Sequence, residues 1–124
     1  MENGTLILIV EDDEDLATVL GEVLGSRGYR VELAMTGEAA LVALADEPPA
    51  LVILDWGIPD ADPEELGQVF KSLGIPVVLA SGSECTGELA GRVGARAVLD
   101  KPYHIDDVFS VVERLLGGPA LRYS

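Results

Sequence analysis

The chain is poor in cysteine, in basic residues and in long apolar runs. Cys85 is the only cysteine among 124 residues, so no intrachain disulfide can form. The composition fits a reducing compartment, and Cys85 reads as a passive structural thiol. Lysine and arginine together number 8 against 22 acids, a net charge of −14. That imbalance excludes unaided binding to nucleic-acid backbone or to anionic lipid. No apolar run approaches the roughly 18 residues of a membrane span, and no basic segment precedes the first apolar stretch. The chain therefore reads as cytoplasmic and soluble, without membrane insertion. Histidine occurs once, as His104 beside Lys101-Pro102-Tyr103, where it reads as a helix-start residue and not as a catalytic base.

The acids that are present are unevenly placed. Before Lys71 the only basic residues are Arg27 and Arg30, so the negative excess sits mostly in the first half, a surface suited to a divalent cation or a basic partner. Hydrophobic residues make up 48% of the chain, enough for a globular fold with a real core. No internal repeat and no linker divides residues 1–124, which read as a single domain.

Leu51-Val52-Ile53-Leu54 is a continuous apolar run that ends in Asp55. Such a run reads as a strand buried on both faces, and a carboxylate at its end belongs at the mouth of a sheet, because burying it unpaired would be costly. Thr5 to Val10 is a similar run, and it stops at Glu11-Asp12-Asp13-Glu14-Asp15. Of these, Asp13, Glu14 and Asp15 read as acids at a helix start, complementing the positive end of the helix dipole. The helix that follows carries Leu16, Val19, Leu20, Val23 and Leu24 on one face and closes near Arg27-Gly28.

Arg30 to Ala34 reads as a short edge strand with one face wet. A second helix starts at Thr36-Gly37 and ends before Pro48-Pro49. A third runs from Pro63 to Leu73, with proline in its first turn. Strand four is Val77 to Ala80, ending at Ser81-Gly82. Glu84 to Val93 reads as a helix weakened by Gly87 and Gly91. Strand five is Ala97 to Leu99, ending at Asp100-Lys101-Pro102. The last helix runs from Ile105 to Leu116 and is stopped by Gly117-Gly118-Pro119.

Five strands alternating with five helices predict an α/β fold with a doubly wound parallel sheet. The common order for five strands is 2-1-3-4-5, the flavodoxin-like arrangement, with ligands at the carboxyl ends beside the switch point between strands one and three. That order gathers Glu11, Asp12 and Asp55 in one acidic pocket and sets Ser81 and Lys101 on the same rim. Converging carboxylates repel unless a cation neutralises them, and a hard divalent ion such as Mg²⁺ with oxygen ligands answers this. A carboxylate beside such an ion can attack a phosphoryl group, with a lysine and a hydroxyl offsetting charge on the phosphoryl oxygens.

These features resemble the receiver domain of two-component response regulators, over nearly the whole chain. The matching residues are Glu11-Asp12 after the first strand, Asp55 after the third, Pro59 four residues on, Ser81 after the fourth, and Lys101-Pro102 after the fifth. Each alone is weak; in this order and spacing they are specific. The resemblance implies that Asp55 is the phosphoacceptor and that Ser81 and Lys101 assist as switch hydroxyl and phosphate-pairing lysine. It implies a Mg²⁺ site of Glu11, Asp12, Asp55 and the backbone carbonyl of Gly57, and a cis bond between Lys101 and Pro102. It also implies a histidine kinase or histidine phosphotransfer protein as phosphoryl donor, and leaves room for a weak dimer through the helix-four and strand-five face. The chain would be a signalling phosphoacceptor and not an enzyme acting on an external substrate.

Departures from the family pattern bear on output. Val98 stands where an aromatic switch residue is usual, and the segments on either side of Ser81 are short. Signal output is therefore expected through ordering of Ser83 to Val93 and not through an aromatic rotamer. The alternative is a receiver-like interaction module that is never phosphorylated, which the full acid set and Lys101 argue against. An aspartate-nucleophile phosphatase would place a second aspartate where Gly57 stands. A flavin site would need a phosphate loop where the acids of the first strand lie.

Overall fold

Alternating side chains along three buried strands divide the apolar residues into two cores, and this division organises the molecule. The computed structural model describes residues 4–82 and 87–117. Its strands are β1 (Leu6–Val10), β2 (Arg30–Ala34), β3 (Leu51–Asp55), β4 (Val77–Ser81) and β5 (Ala95–Asp100). They form one parallel sheet in the order β2-β1-β3-β4-β5. The helices between and after them are α1 (Glu14–Gly25), α2 (Gly37–Asp46), α3 (Pro63–Ser72), α4 (Gly87–Arg92) and α5 (Ile105–Leu116).

One sheet face supplies Ile7, Ile9, Ile53 and Val78, which pack with Leu20 and Leu24 of α1 and Val108 and Val112 of α5. The opposite face supplies Leu8, Val52, Leu54 and Leu79, which pack with Leu44 of α2, Leu66 and Phe70 of α3 and Ala90 of α4. The doubly wound order expected from the sequence is the one observed. Side-chain caps set the helix starts: Asp13 Oδ1 accepts from Leu16 N at 3.2 Å, Thr36 Oγ1 from Ala39 N at 3.0 Å, and Asp62 Oδ1 from Glu64 N at 2.9 Å. Gly117 ends α5 in the left-handed conformation, φ 81°, as the glycine after Leu116 predicts.

Several expectations need correction. The buried face of α1 is Ala17, Leu20 and Leu24, while Val19 is 45% exposed. Leu16 and Val23 of the expected stripe are half-buried, and Ala17 joins the buried face that the larger residues mark. Helix α1 ends at Gly25, and Gly28 closes the turn after it in the left-handed conformation, φ 95°, as the Arg27-Gly28 pair predicts. Strand β5 is longer than Ala97–Leu99 at both ends, because it follows β4 along its length. Among the described residues α4 spans Gly87–Arg92 and stops one residue before Val93; Ser83 to Thr86, including Cys85 and the expected start at Glu84, lie outside the described residues. Strand β2 is the edge expected, but it is wet on more than one face: Leu33 is 42% exposed.

Gly67 of α3 is where α3 meets the end of α4. A Cβ there would lie 2.8 Å from the Cβ of Val93, whereas a Cβ at Gly91 would meet nothing within 4 Å. Gly67→Ala is expected to destabilise the fold by about 1–3 kcal/mol through overpacking. Gly91→Ala is expected to stabilise it by up to about 1 kcal/mol through helix propensity. Denaturant titration followed by Trp56 fluorescence checks both signs.

Candidate functional site

Three strands end in charged side chains at the same edge of the sheet. Asp55 is the last residue of β3, Glu11 follows β1, and Lys101 follows β5. The parallel register brings their ends level: Val10 pairs with Leu54, Asp55 with Ala80, and Ser81 with Asp100. Backbone bonds continue past the strands, from Glu11 N to Ala34 O at 3.0 Å and from Lys101 N to Ser81 O at 2.7 Å. Rigid strand ends therefore hold all of these side chains.

Glu11, Asp55 and Ser81 are the buried polar residues of the described fold, at 2%, 6% and 1% exposure. The Lys101 ammonium donates to Glu11 Oε1 at 3.3 Å and to Asp55 Oδ1 at 3.2 Å. Asp55 Oδ1 also accepts from Gly57 N at 3.2 Å, and Glu11 Oε2 accepts from Asp13 N at 3.2 Å. Asp12 is exposed at the pocket rim. One carboxylate oxygen from each of Glu11, Asp12 and Asp55 lies within 4.8 Å of the others, a spacing at which one cation could touch all three. Ser81 Oγ donates to the carbonyl of Gly82 at 3.2 Å.

Burial, then the negative charge of Asp55, pushes Glu11 up from 4.5 to about 7; the Asp13 N–H and Lys101 only partly offset this. Burial alone would lower Lys101, but the charges of Asp55 and Glu11 outweigh it and hold the ammonium above its ordinary range. Three carboxylates thus face one ammonium, a shortfall of positive charge that favours a divalent ion. The acidic cluster Glu11, Asp12 and Asp55 resembles the Mg²⁺ site of receiver domains.

The remaining sequence expectations are met unevenly. The Lys101–Pro102 peptide bond is cis, as the resemblance implied. His104 stands at the start of α5, where its N–H donates to Asp107 Oδ2 at 3.2 Å. Trp56 is half-buried against the core on the α2 and α3 side, so packing accounts for it. Val98 is 40% exposed beside the short α4.

Two further residues were not singled out from sequence. The Tyr103 hydroxyl is pushed up to about 12, first by burial and then by the charge of Glu11. Asp60, five residues beyond Asp55, accepts from Gly37 N at 2.7 Å and Glu38 N at 3.2 Å and ties the loop after β3 to the start of α2. Glycine at 37 permits the approach, because a Cβ there would lie 2.5 Å from Ala61 Cβ.

The response regulator receiver domain model matches residues 7–113. The chain belongs to the response regulator receiver family. It is 35% identical to the transcriptional regulatory protein KdpE of Mycobacterium tuberculosis over 83% of this chain and 47% of that protein. It is 32% identical to the response regulator MprA of Mycolicibacterium vanbaalenii over 89% of this chain and 49% of that protein. The chain spans about half the length of these curated relatives. Among solved structures, the receiver domain of NtrX from Brucella abortus is 32% identical with a TM-score of 0.78, covering 90% of this chain and 98% of that one. CheY4 of Vibrio cholerae, at 21% identity and a TM-score of 0.82 over 92% of this chain and 100% of that one, shares the fold. Receiver domains are signalling domains of two-component systems that interact with histidine kinases, and phosphorylation on aspartate characterises the family. Among the described residues no helix is long and apolar enough to cross a membrane.

The raised Glu11 gives a signed pH dependence. Its folded value of about 7 lies above the ordinary 4.5, so the folded state holds a proton that the unfolded chain has lost. Stability from this group is complete below pH 4.5 and falls as pH rises toward 7. Relative to Glu11→Gln, the metal-free wild type is expected to lose stability between those values, and added Mg²⁺ to restore more at pH 8 than at pH 5. Denaturant titrations of both proteins across pH, with and without Mg²⁺, measure the difference.

Proposed function

We propose that residues 1–124 act as one receiver domain that takes a phosphoryl group from a phosphohistidine onto Asp55. The observation that carries this reading is the buried Asp55 carboxylate, which shares Lys101 with Glu11 and lies within one cation's reach of Glu11 and Asp12. Asp55 is the nucleophile. Its free oxygen attacks phosphorus, the P–N bond breaks with its electron pair returning to the imidazole nitrogen, and an acyl phosphate forms. Lys101 turns from Glu11 toward the new phosphoryl oxygens, and the Ser81 hydroxyl donates to another. Attack by water later releases phosphate and restores the carboxylate, so no external substrate is turned over.

Glu11, Asp12, Asp55 and the Gly57 carbonyl would hold Mg²⁺. The donor set fits that ion: it is all oxygen, acidic in excess, and partly hydrated through the exposed Asp12. When bound, Mg²⁺ supplies positive charge to the incoming phosphoryl group. The Gly57 N–H donates to Asp55 Oδ1 at 3.2 Å, which keeps residue 57 next to the carboxylate.

The phosphoryl donor is a histidine kinase or a histidine phosphotransfer protein. We assign no direct nucleic-acid contact to this chain, because its charge of −14 repels phosphate. Output passes through the face formed by α4 and β5, since Val98 offers no aromatic switch. The same face could carry a weak dimer through exposed Val98.

The test is incubation with Mg²⁺ and acetyl phosphate followed by intact mass. One phosphoryl adduct is expected on wild type, none after chelation of the metal, and none on Asp55→Asn. An adduct of equal yield on Asp55→Asn, or none on wild type at saturating donor, would contradict the assignment.

A further inference from the structure

Helix α2 is apolar on more sides than the sheet can cover. Its sequence from Ala39 to Ala45 contains seven apolar residues and no charge. The inner face, Gly37, Ala40 and Leu44, is buried against the core. The outer face beyond Glu38 carries Leu41, Val42 and Ala45 and is left open, with Leu41 45% and Val42 65% exposed. A helix apolar on two sides is normally covered on both.

The open face runs between two grooves. One, about 580 Å³, lies between α2 and α3 and is lined by Leu41, Leu66 and Val69 together with Glu38, Asp62 and Glu65. The other, about 590 Å³, lies between α2 and the edge strand and is lined by Leu33 and Val42 together with Glu32 and Asp46. Glu38 borders both. Among the described residues, every charged side chain lining either groove is acidic.

We propose that the α2 ridge and its grooves form a docking surface for a basic amphipathic helix of a partner protein. An apolar stripe at i, i+3, i+4 and i+7 on that helix would pack against Leu41, Val42 and Val69, ridges into grooves. Flanking lysines and arginines would face Glu38, Asp62, Glu65 and Asp46. Charge selects this occupant over a second copy of the chain. A two-fold contact would set each rim acid against its own kind, between molecules of charge −14. The surface lies apart from the Glu11–Asp55–Lys101 pocket and needs neither metal nor phosphoryl group to exist.

The experiment is selection of a yeast-displayed library of 18-residue peptides against the whole chain, without Mg²⁺ or phosphodonor. Its outcome is therefore independent of whether Asp55 accepts phosphate. Enriched sequences should carry apolar residues at helical spacing with lysine or arginine flanks. A synthetic enriched peptide should shift amide resonances over 37–46 and 62–72 of wild type. Its affinity should fall on the order of tenfold for Leu41→Ser with Val69→Ser, two exposed positions. Wild-type mapping decides the matter if the double variant folds poorly. Enrichment of alternating, strand-like sequences on the β2 edge would overturn the proposal. So would shifts centred on α1 and α5, unchanged affinity for a folded double variant, no enrichment above background, or self-association through α2.

Discussion

Everything at the carboxyl edge of the sheet depends on two buried carboxylates sharing one ammonium. Glu11 and Asp55 are nearly inaccessible, and Lys101 lies between them at 3.3 and 3.2 Å. Burying two acids against a single cation leaves negative charge uncompensated, and the cost appears as the proton that Glu11 retains to about pH 7. Such an arrangement is poor as a stabilising device. It makes sense as a receptor for charge: a divalent cation relieves the acids, and an incoming phosphoryl group gives the lysine a new partner.

The fold makes the arrangement affordable by fixing it from several strands at once. Continuous apolar runs in β1, β3 and β4 bury both sheet faces, so the strand ends cannot slide without moving both cores. Register then brings Val10, Leu54 and Ala80 level, and the charged residues follow from it. The loop after β3 is held in turn by Asp60 on the amino end of α2. Displacement near Asp55 therefore has a covalently short route to α2 as well as to the Ser81 side of the pocket.

Much of this was legible in the sequence, because its strongest signals are local. Buried strands announce themselves as apolar runs, and a carboxylate ending such a run has few structural reasons to be there; Asp55, Glu11 and the sheet order follow from that. What escaped was set by tertiary contact. The buried face of α1 includes Ala17, which a pattern read from large side chains does not reveal. The length of β5 was set by its neighbour β4. The bond from Asp60 to the Gly37 amide joins residues distant in sequence and has no periodic signature. The second apolar face of α2 hid within a run of alanine, leucine and valine that reads equally well as core.

The most direct test of the charge-receptor account is a crystal structure of the Mg²⁺–beryllofluoride complex. The account predicts beryllium bonded to an Asp55 oxygen, Mg²⁺ touching Glu11, Asp12, Asp55 and the Gly57 carbonyl, and Lys101 moved off Glu11 onto fluoride. A complex in which Lys101 still bridges Glu11 and Asp55, or in which the ion binds away from Asp12, would contradict it.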